Sequence, residues 1–70
     1  MEYFIEFTSS NVARIGYEQA NSTLEVEFHN GGVYHYFDVP ENIWEAFKFA
    51  ESKGKFLSES IKGQFRYTKV

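Results

Sequence analysis

Two strictly alternating runs, Thr23-Leu-Glu-Val-Glu-Phe28 and Val33-Tyr-His-Tyr-Phe37, flank His29-Asn-Gly-Gly32, and this arrangement demands a β-hairpin. Asn30-Gly31 supplies the positive φ angles of a two-residue type I′ turn. Such a turn sets Leu24 opposite Phe37, Val26 opposite His35 and Phe28 opposite Val33 on the core face. Glu25 then meets Tyr36, and Glu27 meets Tyr34, on the other face. Upstream, Asn11 to Tyr17 reads as a further strand joined by the polar loop Glu18 to Ser22. With Tyr17 opposite Leu24, Ile15 meets Val26 in the core and Arg14 meets Glu27 outside it.

The rest of the chain predicts an α+β fold: an antiparallel three- to four-stranded meander sheet packed by one longer and one short C-terminal helix. Residues 1–8 form either an additional strand or an arm that lays Tyr3 and Phe4 against a neighbouring subunit. Val39-Pro40 opens the longer helix, since proline suits a first turn and Glu41 and Glu45 favour the positive end of its dipole. Ile43, Ala46, Phe47 and Ala50 share one stripe, with Trp44 at its border. Phe49 falls nearly opposite that stripe, a position that suggests an interface. Ser52-Lys-Gly-Lys55 breaks the helix, Phe56 to Lys62 forms the short one with Leu57 and Ile61 inward, and Gly63 ends it. The tail from Gln64 is extended, a candidate closing strand.

Residues 1–70 form one domain, and a chain of this size buries only about 60% of the surface its unfolded form exposes. It has no cysteine and only two histidines, so neither a disulfide nor a structural zinc site reinforces it. The means of building a core are aromatic, with eight Phe, five Tyr and one Trp. That exceeds what one small core hides, and places some rings at a ligand surface or in a homo-oligomer. No apolar run approaches the roughly 20 residues of a membrane span. The lack of cysteine and of a signal pattern suggests the cytoplasm. Charge is segregated: residues 1–47 carry eight acids against Arg14 alone, whereas residues 48–70 carry six cations against Glu51 and Glu59.

In order and spacing, Ser9-Ser10-Asn11, Ile15-Gly16-Tyr17, Leu24 to Phe28, Tyr34-His35-Tyr36, Val39-Pro40, Ala50, Ser52-x-Gly54-x-Phe56, Ile61-Lys62 and Tyr67 together resemble the KTSC domain family. Members of that family occur as lone bacterial and phage domains and as a C-terminal extension of some lysyl-tRNA synthetases. The resemblance implies an α+β domain and raises RNA as a partner.

The candidate ligand residues form two sets. Tyr34 and Tyr36, about 7 Å apart at i and i+2, suit stacking on bases or hydrogen bonding to phosphate, or equally packing at an interface. Ser52, Lys53, Gly54 and Lys55 precede a helix and offer an anion its backbone N–H groups and two ammonium charges, with Lys62 and Arg66 to complete the site. The same segment would also serve as an ordinary N-cap with solvated lysines. No triad, acid–base pair or metal-ligand cluster recommends catalysis, and no cofactor is implied. Glu25 and Glu27 alternate as exposed-strand glutamates do, and His35 alternates onto the core face. The sequence therefore suggests a non-enzymatic domain that binds a phosphate-bearing small molecule such as a nucleotide signal, which it would sequester. RNA binding and a protein-interaction module are the alternatives.

Overall fold

Phe28 donates its backbone N–H to the Gly32 carbonyl (2.8 Å), and Gly31 donates to the Phe28 carbonyl (2.9 Å), closing the central hairpin around three loop residues, 29–31. In the computed structural model, which describes residues 1–70, Gly31 takes φ +92° while Asn30 keeps a negative φ. A type I′ turn needs positive φ at both central residues; a three-residue loop with a left-handed glycine needs it once. The Asn30 side chain reinforces the wider loop, its Oδ1 accepting from Gly32 N (2.9 Å).

That one extra loop residue corrects the expected register. β3 (Thr23–Phe28) and β4 (Val33–Tyr36) pair Leu24 with Tyr36, Glu25 with His35, Val26 with Tyr34 and Glu27 with Val33. Because side chains alternate with period two, the slip exchanges the faces of β4. Tyr34 and Tyr36 lie on the helix-bearing face with Leu24 and Val26, not opposite it, and Tyr36 is buried. His35 lies outside the core, where Glu25 becomes its partner. Phe37, expected in the core, packs under the Arg66 guanidinium instead (5.5 Å to the ring centroid).

The sheet has five antiparallel strands in the order β1-β2-β3-β4-β5, where β1 is Glu2–Phe4, β2 is Val12–Glu18 and β5 is Tyr67–Lys69. Tyr17 meets Leu24, Ile15 meets Val26 and Arg14 meets Glu27, as the sequence predicts, with a bulge between Val12 and Arg14. Residues 2–4 resolve as an intramolecular strand: Glu2 pairs with Tyr17 and Phe4 with Ile15. Phe4 is half-buried and stacks on Phe7 within its own chain. Tyr3 points to the opposite face, over the Arg14 guanidinium (4.3 Å) and Gly16, where an added Cβ would come within 2.7 Å of the Tyr3 ring.

Helix α1 (Glu41–Phe49) starts at Pro40, and its inward stripe is rotated from the expected one. Trp44 is fully buried rather than at the border, and Ala46 is exposed. The rotation lets Trp44 stack on Tyr17 (5.5 Å, 12°) and donate from Nε1 to Glu2 (3.2 Å). Helix α2 (Lys53–Phe56) continues into a π-helical turn, Leu57–Ile61, whose end is marked by Gly63 at φ +80°. Leu57 and Ile61 enter the core with Ile15, Leu24, Val26, Val39 and Phe47. No helix is long and apolar enough to cross a membrane.

Candidate functional site

The core face extends past the end of the helical layer. Where β4 and β5 pair, Tyr34 lies opposite Lys69 and Tyr36 opposite Tyr67, so all four side chains rise on one face. Phe28 from β3 closes the near side edge-on to Tyr34 (5.7 Å, 86°), and the Lys62-Gly63 turn overhangs it. The result is an open cleft of about 520 Å³ between sheet and turn, with Asn30 and Gly32 at its mouth. Its size is that of a small-molecule site.

Four rings line this cleft. Tyr67 contacts both Tyr34 (6.0 Å) and Tyr36 (5.6 Å), and it remains 62% exposed, which leaves much of its surface accessible to a guest. Burial pushes the Tyr36 phenol above its ordinary pKa, and the neighbouring Tyr34 and Tyr67 phenols add to the effect, so Tyr36 stays protonated and can donate. Lys62 reaches over Phe28, its Nζ 5.9 Å from the ring centroid.

Charge singles the cleft out further. Arg14, Lys48 and Arg66 have carboxylate partners, and Lys53 bonds to carbonyls. Only Lys55, Lys62 and Lys69 have neither, and two of those three line this cleft, which contains no carboxylate. In a chain with ten acids, that is a local reversal of sign.

The residues expected to act together are distributed over three places. Tyr34, Tyr36 and Lys62 converge here. Ser52, Lys53, Gly54 and Lys55 line a separate polar depression against Ser9-Ser10-Asn11. There Ser52 Oγ caps α2 by accepting from Lys55 N (3.1 Å), and Gly54 lies against the Asn11 amide. Lys53, expected either as an anion ligand or as a solvated lysine, is neither: it is buried, and its Nζ donates to the carbonyls of Ala50 (2.6 Å) and Lys48 (3.1 Å). Lys53 therefore caps the C-terminus of α1, under the rings of Phe4 and Phe7. Arg66 lies on the adjoining surface, paired with Asp38 (3.0 Å).

The sequence does not single out Phe28, Asn30, Tyr67 or Lys69 as ligand residues. Its alternation places Phe28 wholly in the core, and the tail's period of two, Phe65, Tyr67 and Lys69 against Arg66 and Thr68, is the available signal for the last two. On the opposite face, Glu25 is nearly buried between His35 Nε2 (2.8 Å) and the Arg14 guanidinium (2.9 Å). Arg14 Nε also lies 3.0 Å from Glu27, but too poorly aligned for a hydrogen bond, so that contact is charge attraction alone.

A small α+β domain with one aromatic, lysine-edged cleft is thus the class to which fold and site assign the chain. It belongs to the KTSC domain family, whose pattern matches residues 8–65. The crystal structure of a KTSC domain protein from Yersinia pestis superposes with a TM-score of 0.88 at 38% identity, covering 97% of both chains. A protein of Stutzerimonas stutzeri is 33% identical over 67 residues, 94% of either chain. A lysine–tRNA ligase from Nostoc punctiforme is 39% identical over 61 residues, which are 87% of this chain but 11% of the ligase. The chain thus spans about a tenth of the ligase, and the shared region is the KTSC domain rather than a catalytic family.

Proposed function

We propose that this chain is a non-catalytic binding domain for a phosphate-bearing small molecule with a planar base, such as a nucleotide, which it holds and sequesters in the cytoplasm. The carrying observation is the coincidence of four rings with two lysines that have no carboxylate partner, in a cleft free of acids. Base stacking on an aromatic ring is worth about 1–3 kcal/mol, and an ammonium supplies the phosphate partner. Of the phosphate set that the sequence suggests, Ser52–Lys55 with Lys62 and Arg66, only Lys62 lines this cleft, and Lys69 joins it there. Titration calorimetry with a panel of nucleoside mono- and dinucleotides tests this. Tyr67→Ala, and separately Lys62→Glu with Lys69→Glu, should weaken binding about tenfold or more. Absence of binding, or affinity indifferent to all three changes, overturns it.

RNA is the second reading, favoured by the likeness to a region of a lysine–tRNA ligase. A polyanion normally meets a broad basic surface, whereas here the acids outnumber the cations ten to seven. Affinity for single-stranded RNA that rises with chain length and falls steeply with salt would favour RNA over the small ligand. Self-association, if it accompanies binding, has Phe49 as its best-placed ring, 82% exposed on α1.

A further inference from the structure

The polarity of the cleft goes beyond recognition of phosphate. Asn30 stands at its mouth, and its Oδ1 is committed to the Gly32 N–H at 2.9 Å. That donor fixes the orientation of the amide, because only the oxygen can accept; Nδ2, with two N–H groups, is therefore the end left free. The loop holds it there through the left-handed Gly31 and the Phe28–Gly32 hydrogen bond. Lys62 and Lys69 are also donors only, and no carboxylate lines the cleft. Apart from the second lone pair of Asn30 Oδ1, every side-chain group of fixed polarity that lines the cleft thus donates, while the tyrosine hydroxyls can turn either way.

We infer that the cleft selects bases that present a carbonyl oxygen over bases that present an amino group at the same position, with Asn30 Nδ2 as the reading group. A carbonyl accepts from Nδ2, whereas an exocyclic amino group would set donor against donor and leave both unpaired. This rests on the nucleotide reading above and specifies the ligand class of that site.

The test compares two pairs of monophosphates that differ at that position, inosine with adenosine and uridine with cytidine, by calorimetry on the full chain. The expected preference is roughly 2- to 10-fold for the carbonyl member of each pair, the span of one net hydrogen bond. In Asn30→Asp the side chain still accepts from Gly32 N–H but offers an acceptor in place of Nδ2. Its added charge weakens both members of a pair alike, so the ratio should fall to one or invert. Equal binding within both pairs by the wild-type chain, or a preference unchanged in Asn30→Asp, overturns the inference while leaving the nucleotide reading standing. Failure of all four monophosphates to bind overturns both.

Discussion

Glu25 and His35 face one another across β3 and β4, with His35 Nε2 2.8 Å from Glu25 Oε1, on the face of the sheet opposite Tyr34 and Tyr36. The pair is the visible consequence of the three-residue hairpin loop. Glu25 also receives the Arg14 guanidinium, so one carboxylate joins β2, β3 and β4. Glu25→Ala removes the acceptor of two side-chain hydrogen bonds, one of them from the Arg14 guanidinium, at a nearly buried position and should cost about 2 kcal/mol in urea unfolding. A loss within the scatter of surface substitutions would mean that the cluster is only a solvated ion pair.

Tyr17 donates from its hydroxyl to the carbonyl of Val39 (2.6 Å), a residue with no exposed surface. This bond fixes the entry to α1, and the Tyr17 ring is the platform for Trp44. Tyr17→Phe preserves the stacking and deletes the donor. Its expected cost is about 1–3 kcal/mol, because a buried carbonyl is left without a partner. Chemical denaturation reads it, and near-neutrality would show that water replaces the hydroxyl.

Lys53 and Lys55 are two residues apart and differ in role. Burial lowers the Lys53 pKa, yet its ammonium satisfies the last carbonyls of α1. Lys53→Glu places an acceptor where two acceptors need a donor and should cost at least about 2 kcal/mol. Lys55→Glu, on an exposed side chain, should stay within about 0.5 kcal/mol. Equal effects would remove the capping role.

Glu2 joins β1 to α1, accepting from Lys48 (3.2 Å) and from Trp44 Nε1 (3.2 Å). Those two hydrogen bonds, Lys48 first, hold its carboxyl below the ordinary value of 4.5. A depressed carboxylate pKa contributes attachment that is complete above the ordinary value and lost as pH falls through the native one. Emission from Trp44, the single tryptophan, should therefore shift below about pH 4.5 as β1 loosens, in a transition absent from Glu2→Gln. The same transition in that variant would assign it to another carboxylate.

Phe47 and Phe49 contrast two positions on one helix. Phe47 is fully buried and stacks on Phe56 (5.1 Å), whereas Phe49 is 82% exposed. Phe47→Ala should cost about 3–5 kcal/mol, enough to unfold a marginal domain. Phe49→Glu should leave the monomer within about 0.5 kcal/mol and lower the sedimentation coefficient wherever the chain self-associates. A large stability loss for Phe49→Glu would place that ring in the fold.

Much of this architecture is local information. Alternation in residues 23–28 and 33–36, proline before Glu41 and glycine after Lys62 place most of the elements, since periodicity and backbone restriction act over a few residues. The β2–β3 register was legible because Arg14 and Glu27, Ile15 and Val26 agree on a single alignment. The functional set was legible only in part. Tyr34, Tyr36 and Lys62 meet as a set; Phe28 joins them across the β3–β4 hairpin, and Tyr67 and Lys69 through strand pairing with residues 30 or more positions away.

The sequence by itself determined an antiparallel meander with a helical cover, an aromatic core and a lysine-rich final third. Only the tertiary structure decided which face of β4 is buried. Asn30-Gly31 is compatible with both a two-residue and a three-residue loop, and the two differ locally by the φ of one asparagine. The choice is made collectively, by Tyr36 packing beside Leu24 and by Glu25 gaining His35 and Arg14. Likewise, the chain contains Lys53 and the last carbonyls of α1 as separate facts. Their meeting depends on how two helices pack, and that packing turns one lysine into a cap while leaving Lys62 and Lys69 free at the cleft.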